Sequence, residues 1–249
     1  MNKHIVSLST IAPSLLVASF AAQAQPTSIG LGASWTDSPY KGYGSVYYPL
    51  PSIVFDNGVF FINNFTAGAY VYNDNNQKVS LGLSYLPFEF KPKDSDNYQM
   101  KQLNKRHSTL LAEARYSIST QFGNFTTGIG ADILDESNSV IIGASYSYKF
   151  TGDKWAIVPK VGFTWANDKH NDYYYGVSHA ESMRSGLAYH DAKSSFTPYV
   201  SLVGSYAITQ HFSSYAGVRI DKLTGDAKNS PMIANSTVPS VFAGINYSF

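Results

Sequence analysis

Along most of this chain, apolar residues fall on every second position. Ile29, Leu31, Ala33 and Trp35 alternate with Ser28, Gly30, Gly32 and Ser34, and Val79, Leu81, Leu83 and Tyr85 alternate with Ser80, Gly82 and Ser84. Phe125, Thr127, Ile129, Ala131 and Ile133 form another file, and Val140, Ile142, Ala144, Tyr146, Tyr148 and Phe150 form the longest. The pattern continues through Val161–Trp165, Val200–Ile208 and Phe212–Ile220, and the chain stops on Val241, Ala243, Ile245, Tyr247 and Phe249. A period of two puts alternate side chains on opposite faces of a strand. The segments run to roughly 10 residues, where soluble strands average about 5–6. One face carries Gly, Ser, Thr and scattered charges; the other carries mixed apolar and aromatic residues. That division suits a watery interior and a lipid-facing exterior, so the pattern predicts an all-β fold, a transmembrane antiparallel β-barrel.

Turn signals divide the chain into about 12 strands: 27–36, 43–56, 58–72, 77–86, 106–119, 122–134, 138–150, 154–167, 171–179, 195–209, 211–223 and 237–249. Asp56-Asn57-Gly58 carries the Asn-Gly pair suited to a tight hairpin. The stretches 91–106, 180–195 and 223–237 are longer and more polar, as the outside loops of such barrels are. With both termini periplasmic the count must be even. Counting back from the C-terminus puts 91–106 in the periplasm. Moving it outside calls for a break near Asn64–Ala67 and a short strand near Arg184–His190, so ten to fourteen strands stay open.

The two ends agree with export. Lys3 and His4 precede an apolar run from Ile5 to Phe20, and Ala22-Gln23-Ala24 has the small-x-small form of a cleavage site. Residues 1–24 read as a signal peptide cut after Ala24, leaving 25–249 as a single barrel. At the other end, Gly244–Phe249 resembles the C-terminal signal that outer-membrane barrels present to their insertion machinery, except that Phe242 stands where a polar residue is usual. Nineteen Tyr, fifteen Phe and three Trp supply the rings that favour strands and membrane interfaces. The chain has no cysteine, so the fold does not rely on disulfides. A mean hydropathy of −0.16 fits a barrel in which every second residue is apolar. The near-neutral charge of +1 gives no case for nucleic acid.

Several segments look familiar as a set. Phe163-Thr164-Trp165-Ala166-Asn167-Asp168, Tyr173-Tyr174-Tyr175-Gly176-Val177-Ser178 and Ser185-Gly186-Leu187-Ala188-Tyr189 resemble the middle of the MipA/OmpV family, with Tyr175 in place of its usual Phe. Leu223–Pro231 resembles the family's Leu-x-Gly-Asp-Ala-x-x-Ser-Pro loop, and Tyr48-Pro49-Leu50-Pro51 its early proline segment. The resemblance implies an outer-membrane protein of the MltA-interacting or OmpV type. Members of that family are described as scaffolds joining a murein lytic transglycosylase to a murein synthase, or as proteins of osmotic response, adhesion or antibiotic susceptibility. It implies no catalytic residues.

The candidate chemistry is thin. His107-Ser108, Ser178-His179 and His190-Asp191 are the Ser/His or His/Asp neighbours a barrel hydrolase could use. On a strand, Ser178 and His179 would point to opposite faces and could not pair. No Gly-x-Ser-x-Gly motif and no zinc-spaced cluster occurs. Gly128-Ile129-Gly130 lies inside a strand pattern, which suits a crowded interior better than a nucleotide loop. Lys91–Asp96 and Asp168–Asp172 mix charges as solvated loop tips do, and Lys101, Lys105 and Arg106 form a small basic cluster. Glu113 with Arg115, and Arg219 with Asp221, are expected to face inward, because Arg on the lipid face costs roughly 2–4 kcal/mol at the midplane. The sequence therefore assigns no catalytic, cofactor or metal site. The expected protein is non-enzymatic and sits in the outer membrane against lipid and lipopolysaccharide. Its expected role is a scaffold for a murein lytic transglycosylase and a murein synthase, with a small-solute channel as the alternative and a lipid-active enzyme third.

Overall fold

The alternating segments become strands whose hydrogen bonds run around a closed wall. The computed structural model describes residues 27–249, so the expected signal peptide, 1–24, lies outside the described residues. The strands are β1 Ser28–Thr36, β2 Val46–Asp56, β3 Phe60–Asn63, β4 Thr66–Asn73, β5 Gln77–Leu86, β6 Thr109–Thr120, β7 Gly123–Asp132, β8 Val140–Ser147, β9 Phe150–Thr151, β10 Trp155–Ala166, β11 Ser195–Ala207, β12 Phe212–Lys222 and β13 Thr237–Ser248. Helices α1 Asp168–Tyr175, α2 His179–Ser185 and α3 Gly225–Asn229 lie in the connections. Each wall strand pairs antiparallel with its neighbours, and β13 returns to pair with β1 from Ser28↔Ser248 to Thr36↔Ser240. Both β8 and β9 pair with β10, and the ladder lapses opposite Pro159, which has no N–H to give. The thirteen segments thus make twelve wall positions, and closure removes the edges that an open sheet would expose.

Twelve agrees with the sequence reading through two differences that cancel. The expected strand 58–72 is two strands, because Asn64 takes a left-handed turn (φ 53°) that folds β3 back on β4. The expected strand 171–179 is helical instead. With these changes the short turns at 57–59, 74–76, 121–122, 152–154 and 208–211 share one end with both ends of the described chain. The long connections 37–45, 87–108, 133–139, 167–194 and 223–236 share the other. Short turns face the periplasm in such barrels, so the stretch 91–106, placed in the periplasm by the twelve-strand count, lies outside with the other long loops.

The faces follow the pattern. Outward Leu31, Val200 and Ile245 are half exposed or more, whereas inward Ser28, Ser34, Ser52, Ser80 and Ser240 are buried. Where β13 meets β1, Gly32 and Gly244 stand opposite each other. A Cβ on Gly32 would fall 2.6 Å from the Tyr215 hydroxyl, and one on Gly244 2.5 Å from it, so the two glycines make room for that ring across the join. Among the described residues no helix is long and apolar enough to cross a membrane; the strands do so.

Candidate functional site

The exterior loops fold into a second core of their own. Tyr40 comes from the β1–β2 loop, Phe88, Phe90, Met100 and Leu103 from β5–β6, Tyr174, Tyr175, Val177 and Leu187 from β10–β11, and Leu223, Ala227, Met232 and Ile233 from β12–β13. The hairpins β10–β11, β12–β13 and β1–β2 follow one another around the wall, whereas β5–β6 stands apart from them, so its loop meets theirs over the mouth. Hydrogen bonds join them there. The Tyr40 hydroxyl donates to the Tyr174 carbonyl at 3.1 Å, and Ser230 Oγ donates to the Tyr175 carbonyl at 2.5 Å. Tyr40, Phe90, Tyr174 and Phe88 contact neighbouring rings at centroid distances of 4.3–6.2 Å, a range in which tilted aromatic pairs attract.

Helix caps in the sequence position this core. Asn167 accepts the His170 N–H at 3.0 Å and starts α1, which buries His170, Asn171, Tyr174 and Tyr175 on one face. Ser178 starts α2 with a reciprocal capping box to Glu181, and Gly186, at φ 75°, ends it in the left-handed turn that glycine permits. Glu181 is the hub. It accepts the Asn104 N–H at 2.8 Å, Arg106 Nη2 at 2.9 Å, and the Ser178 N–H and Oγ at 3.0 and 2.9 Å. Burial alone would raise its pKa, but these donors and the Arg106 charge outweigh that and hold it below the usual carboxylate range. Arg106 also donates to the Gly176 carbonyl, so the ion pair pins two loops together. His170 is held neutral by burial, its pKa lowered to about 4 although Asp132 pulls it upward, and Ser139 Oγ lies 2.8 Å from its Nδ1.

Beneath the cap, the lumen carries paired charges. Arg219 donates twice to Asp221, at 2.7 and 2.6 Å, and its guanidinium lies 3.6 Å from the Tyr199 ring centre. Arg115 donates to Glu113 at 3.1 and 3.2 Å. Lys78 meets Asp56 at 3.5 Å, beside Tyr70. Lys160, between Ser147 and Ser201 on the inner wall, has no ion-pair partner among the described residues. Lower down, Leu50, Tyr215 and Phe242 form a small apolar cluster with Val203 against it.

The four charges expected to face inward do so, and they pair as neighbours two apart on a strand should. The Ser/His neighbours are not brought together as nucleophile and base: Ser108 accepts from the Tyr85 hydroxyl at 2.8 Å. Ser178 is a helix cap rather than a strand residue, His107 faces Glu136, and His190 faces the Asp226 carbonyl. The expected strand 171–179 is corrected to α1 and the start of α2; in the expected solvated tip 168–172 the charged Asp168, Lys169 and Asp172 are exposed, while His170 and Asn171 are buried beneath them. Arg106 is not part of an exposed basic cluster but is buried against Glu181. Gly128 lies inside β7, opposite Arg115, as the strand reading has it. The Ser139–His170 contact and the Glu181 hub were missed, although Ser178-x-x-Glu181 is a capping-box signature legible in the sequence. Among the described residues no group of three or more His, Cys, Asp or Glu is placed to hold a metal ion.

Residues 29–249 match the family described as MltA-interacting protein MipA. The chain is 34% identical over 248 residues to the MltA-interacting protein of Escherichia coli (strain K12), covering 98% of this chain and 100% of that relative. It is 26% identical over 156 residues to the outer membrane protein OmpV of Vibrio cholerae, covering 63% of this chain and 60% of that relative. Among solved structures it resembles a NanC porin, with a TM-score of 0.52 and 10% identity over 89% of this chain and 100% of that one, a likeness of fold.

Proposed function

This chain belongs to the MltA-interacting protein MipA family, as an outer-membrane β-barrel of the MipA/OmpV type, and from that membership we propose that it is an envelope scaffold whose periplasmic turns recruit murein-remodelling enzymes. The observation that carries the reading is the end-to-end match to a relative named for its interaction with MltA. The geometry supports it. The long loops are used up in packing over one another, whereas the five periplasmic turns are short, held by strand ladders, and free to present a fixed surface. Phe122, at the tip of the β6–β7 turn, is 70% exposed on that surface. Exposed aromatics on rigid elements are what interface anchors require.

Capture of a lytic transglycosylase and a murein synthase by the folded, detergent-purified barrel tests this. Binding should fall when Phe122→Ser and changes at 152–154 alter the turns, and should survive Tyr98→Ser on the exterior. Equal capture by both variants, or none by the parent protein, would overturn the scaffold reading.

A second reading, a small-solute channel, is favoured by the lumenal Arg219, Arg115 and Lys160. Planar-bilayer recording tests it: discrete steps altered by Arg219→Ala would support it, and silence from a folded barrel would count against it.

A further inference from the structure

The wall is not equally complete at all heights. β2 pairs with β1 along its length, but with β3 only at Val54↔Asn63, Phe55↔Ile62 and Asp56↔Phe61. The β3–β4 hairpin then turns back at Asn64–Phe65, partway up the barrel. β4 leaves β5 at Thr66↔Ser84, and the Tyr85 N–H closes onto the Phe65 carbonyl at 2.9 Å. Above this turn, among the described residues, no strand pairs with Tyr47–Ser52 of β2 on the side away from β1. Higher still, Tyr43 and Phe90 meet at 5.5 Å and the Lys91 N–H donates to the Tyr43 hydroxyl at 2.9 Å. The gap is thus bounded below by the β3–β4 turn and above by the Tyr43–Phe90 contact. On one side stands β2, on the other the end of β5 and the loop leading to buried Phe88 and Phe90, and the gap lies toward the outer leaflet.

The chemistry of its edge follows from strand parity. Ile53 gives its N–H to Asn64 Oδ1 at 3.2 Å and accepts the Asn64 N–H at 2.8 Å, so Ile53 faces the gap side. Residues two apart share that direction, which places Pro49 and Pro51 there too. Neither has an N–H. Between Tyr47 and Ile53, the edge thus offers carbonyl acceptors and no donors. A peptide strand needs both, so the prolines protect this edge from pairing with a second chain. Unpaired carbonyls facing hydrocarbon are costly, and a hydrogen-bond donor would relieve them.

Behind the edge, Leu50 points inward onto Tyr215 and Phe242. Ser52 is 2% exposed, and its Oγ has no hydrogen-bond partner. It stands across Gly30 from Asn246, whose Oδ1 is likewise unpartnered. With no side chain on Gly30 between them, two unsatisfied polar groups border the apolar cluster. We propose that this gap is a lateral window through which a small uncharged amphiphile, an apolar body with one hydrogen-bond donor, passes between the outer leaflet and a lumenal site on Leu50, Tyr215, Phe242, Ser52 and Asn246. The proposal does not depend on the scaffold reading.

Because the chain has no cysteine, single-cysteine variants carry one label each. Nitroxides at Ser52→Cys and Leu50→Cys, in full-length protein folded into phosphatidylcholine liposomes, should show the lipid-type oxygen accessibility of a label at outward Ile53→Cys. A label at Ser201→Cys, inward in a wall paired on both sides, should be shielded. In nanodiscs, 1-N-phenylnaphthylamine, apolar with a single N–H, should show a saturable fluorescence increase over protein-free discs, lost in Ser52→Trp. A heat-modifiable gel band confirms folding of each variant. Labels at 50 and 52 as shielded as that at 201, dipolar broadening from a second copy seated on the edge, or no saturable probe signal would each overturn the proposal.

Discussion

Replacing Glu181 by Gln should loosen the exterior cap while leaving the barrel intact. The substitution keeps the shape of the side chain and removes its charge. Arg106, 6% exposed, would then be left without its partner inside the loop core. Breaking a buried pair by removing one member costs about 3–5 kcal/mol. Because roughly 1.4 kcal/mol is a factor of ten, the opening constant of the cap should rise by a factor from about 10² to several times 10³. Hydrogen exchange locates the effect. The Asn104 N–H, bonded to Glu181, and the Gly176 and Val177 N–H groups beside it should lose protection, while amides in the β10–β11 and β12–β13 ladders should not. If protection falls equally in cap and wall, the cap is not a separate cooperative unit. If the Asn104 amide is unchanged, the hub role given to Glu181 is wrong. The paired change Arg106→Met with Glu181→Gln should recover part of the loss, since the stranded Arg106 charge is then gone while the new amide keeps an oxygen to accept a neighbouring N–H.

Acid should weaken the same cap through His170. Its pKa is lowered to about 4 when folded, against about 6.5 when exposed, so the opened cap binds a proton that the folded cap cannot. The contribution is complete above pH 6.5 and falls by up to about 3 kcal/mol as the pH drops toward 4; cap exchange rates should follow that slope, and His170→Leu should flatten it. Arg219→Ala strands buried Asp221 and removes the stack on Tyr199, and should lower barrel stability by about 3 kcal/mol, read as an earlier urea midpoint of the heat-modifiable band. Phe242→Ala should cost about 3 kcal/mol by opening a cavity beside Leu50 and Tyr215; an unchanged urea midpoint would show that the lumenal cluster carries no load.

Most of the wall was legible in the sequence because lipid and lumen impose opposite chemistry on adjacent residues. Leu31 and Gly32, or Ile245 and Asn246, need only local polarity to be assigned. The misread segments are those where another signal competed. Tyr173-Tyr174-Tyr175 looks like a strand by propensity, yet Asn167 and Ser178 cap helices, and packing under the loops decides the outcome. Asn64 breaks β3 from β4 by a backbone turn that the apolar run around it conceals. The cap was not legible at all as a unit. Tyr40, Phe90, Tyr174 and Met232 are far apart in the chain, and nothing in their local patterns records that they meet. The out-of-pattern Phe242 was visible in the sequence; its reason, contact with Leu50 and Tyr215, is not local either.

The join between β1 and β13 also sets a timetable. Its nine register pairs link residues some two hundred positions apart, among the last contacts a growing chain can make. A chain that stops before residue 237 leaves both β1 and β12 with a bare side, and no internal rearrangement supplies the missing strand. Tyr215 cannot reach its final position until Gly32 and Gly244, from opposite ends of the sequence, stand side by side. The environment of that single ring therefore registers the moment at which the wall becomes continuous.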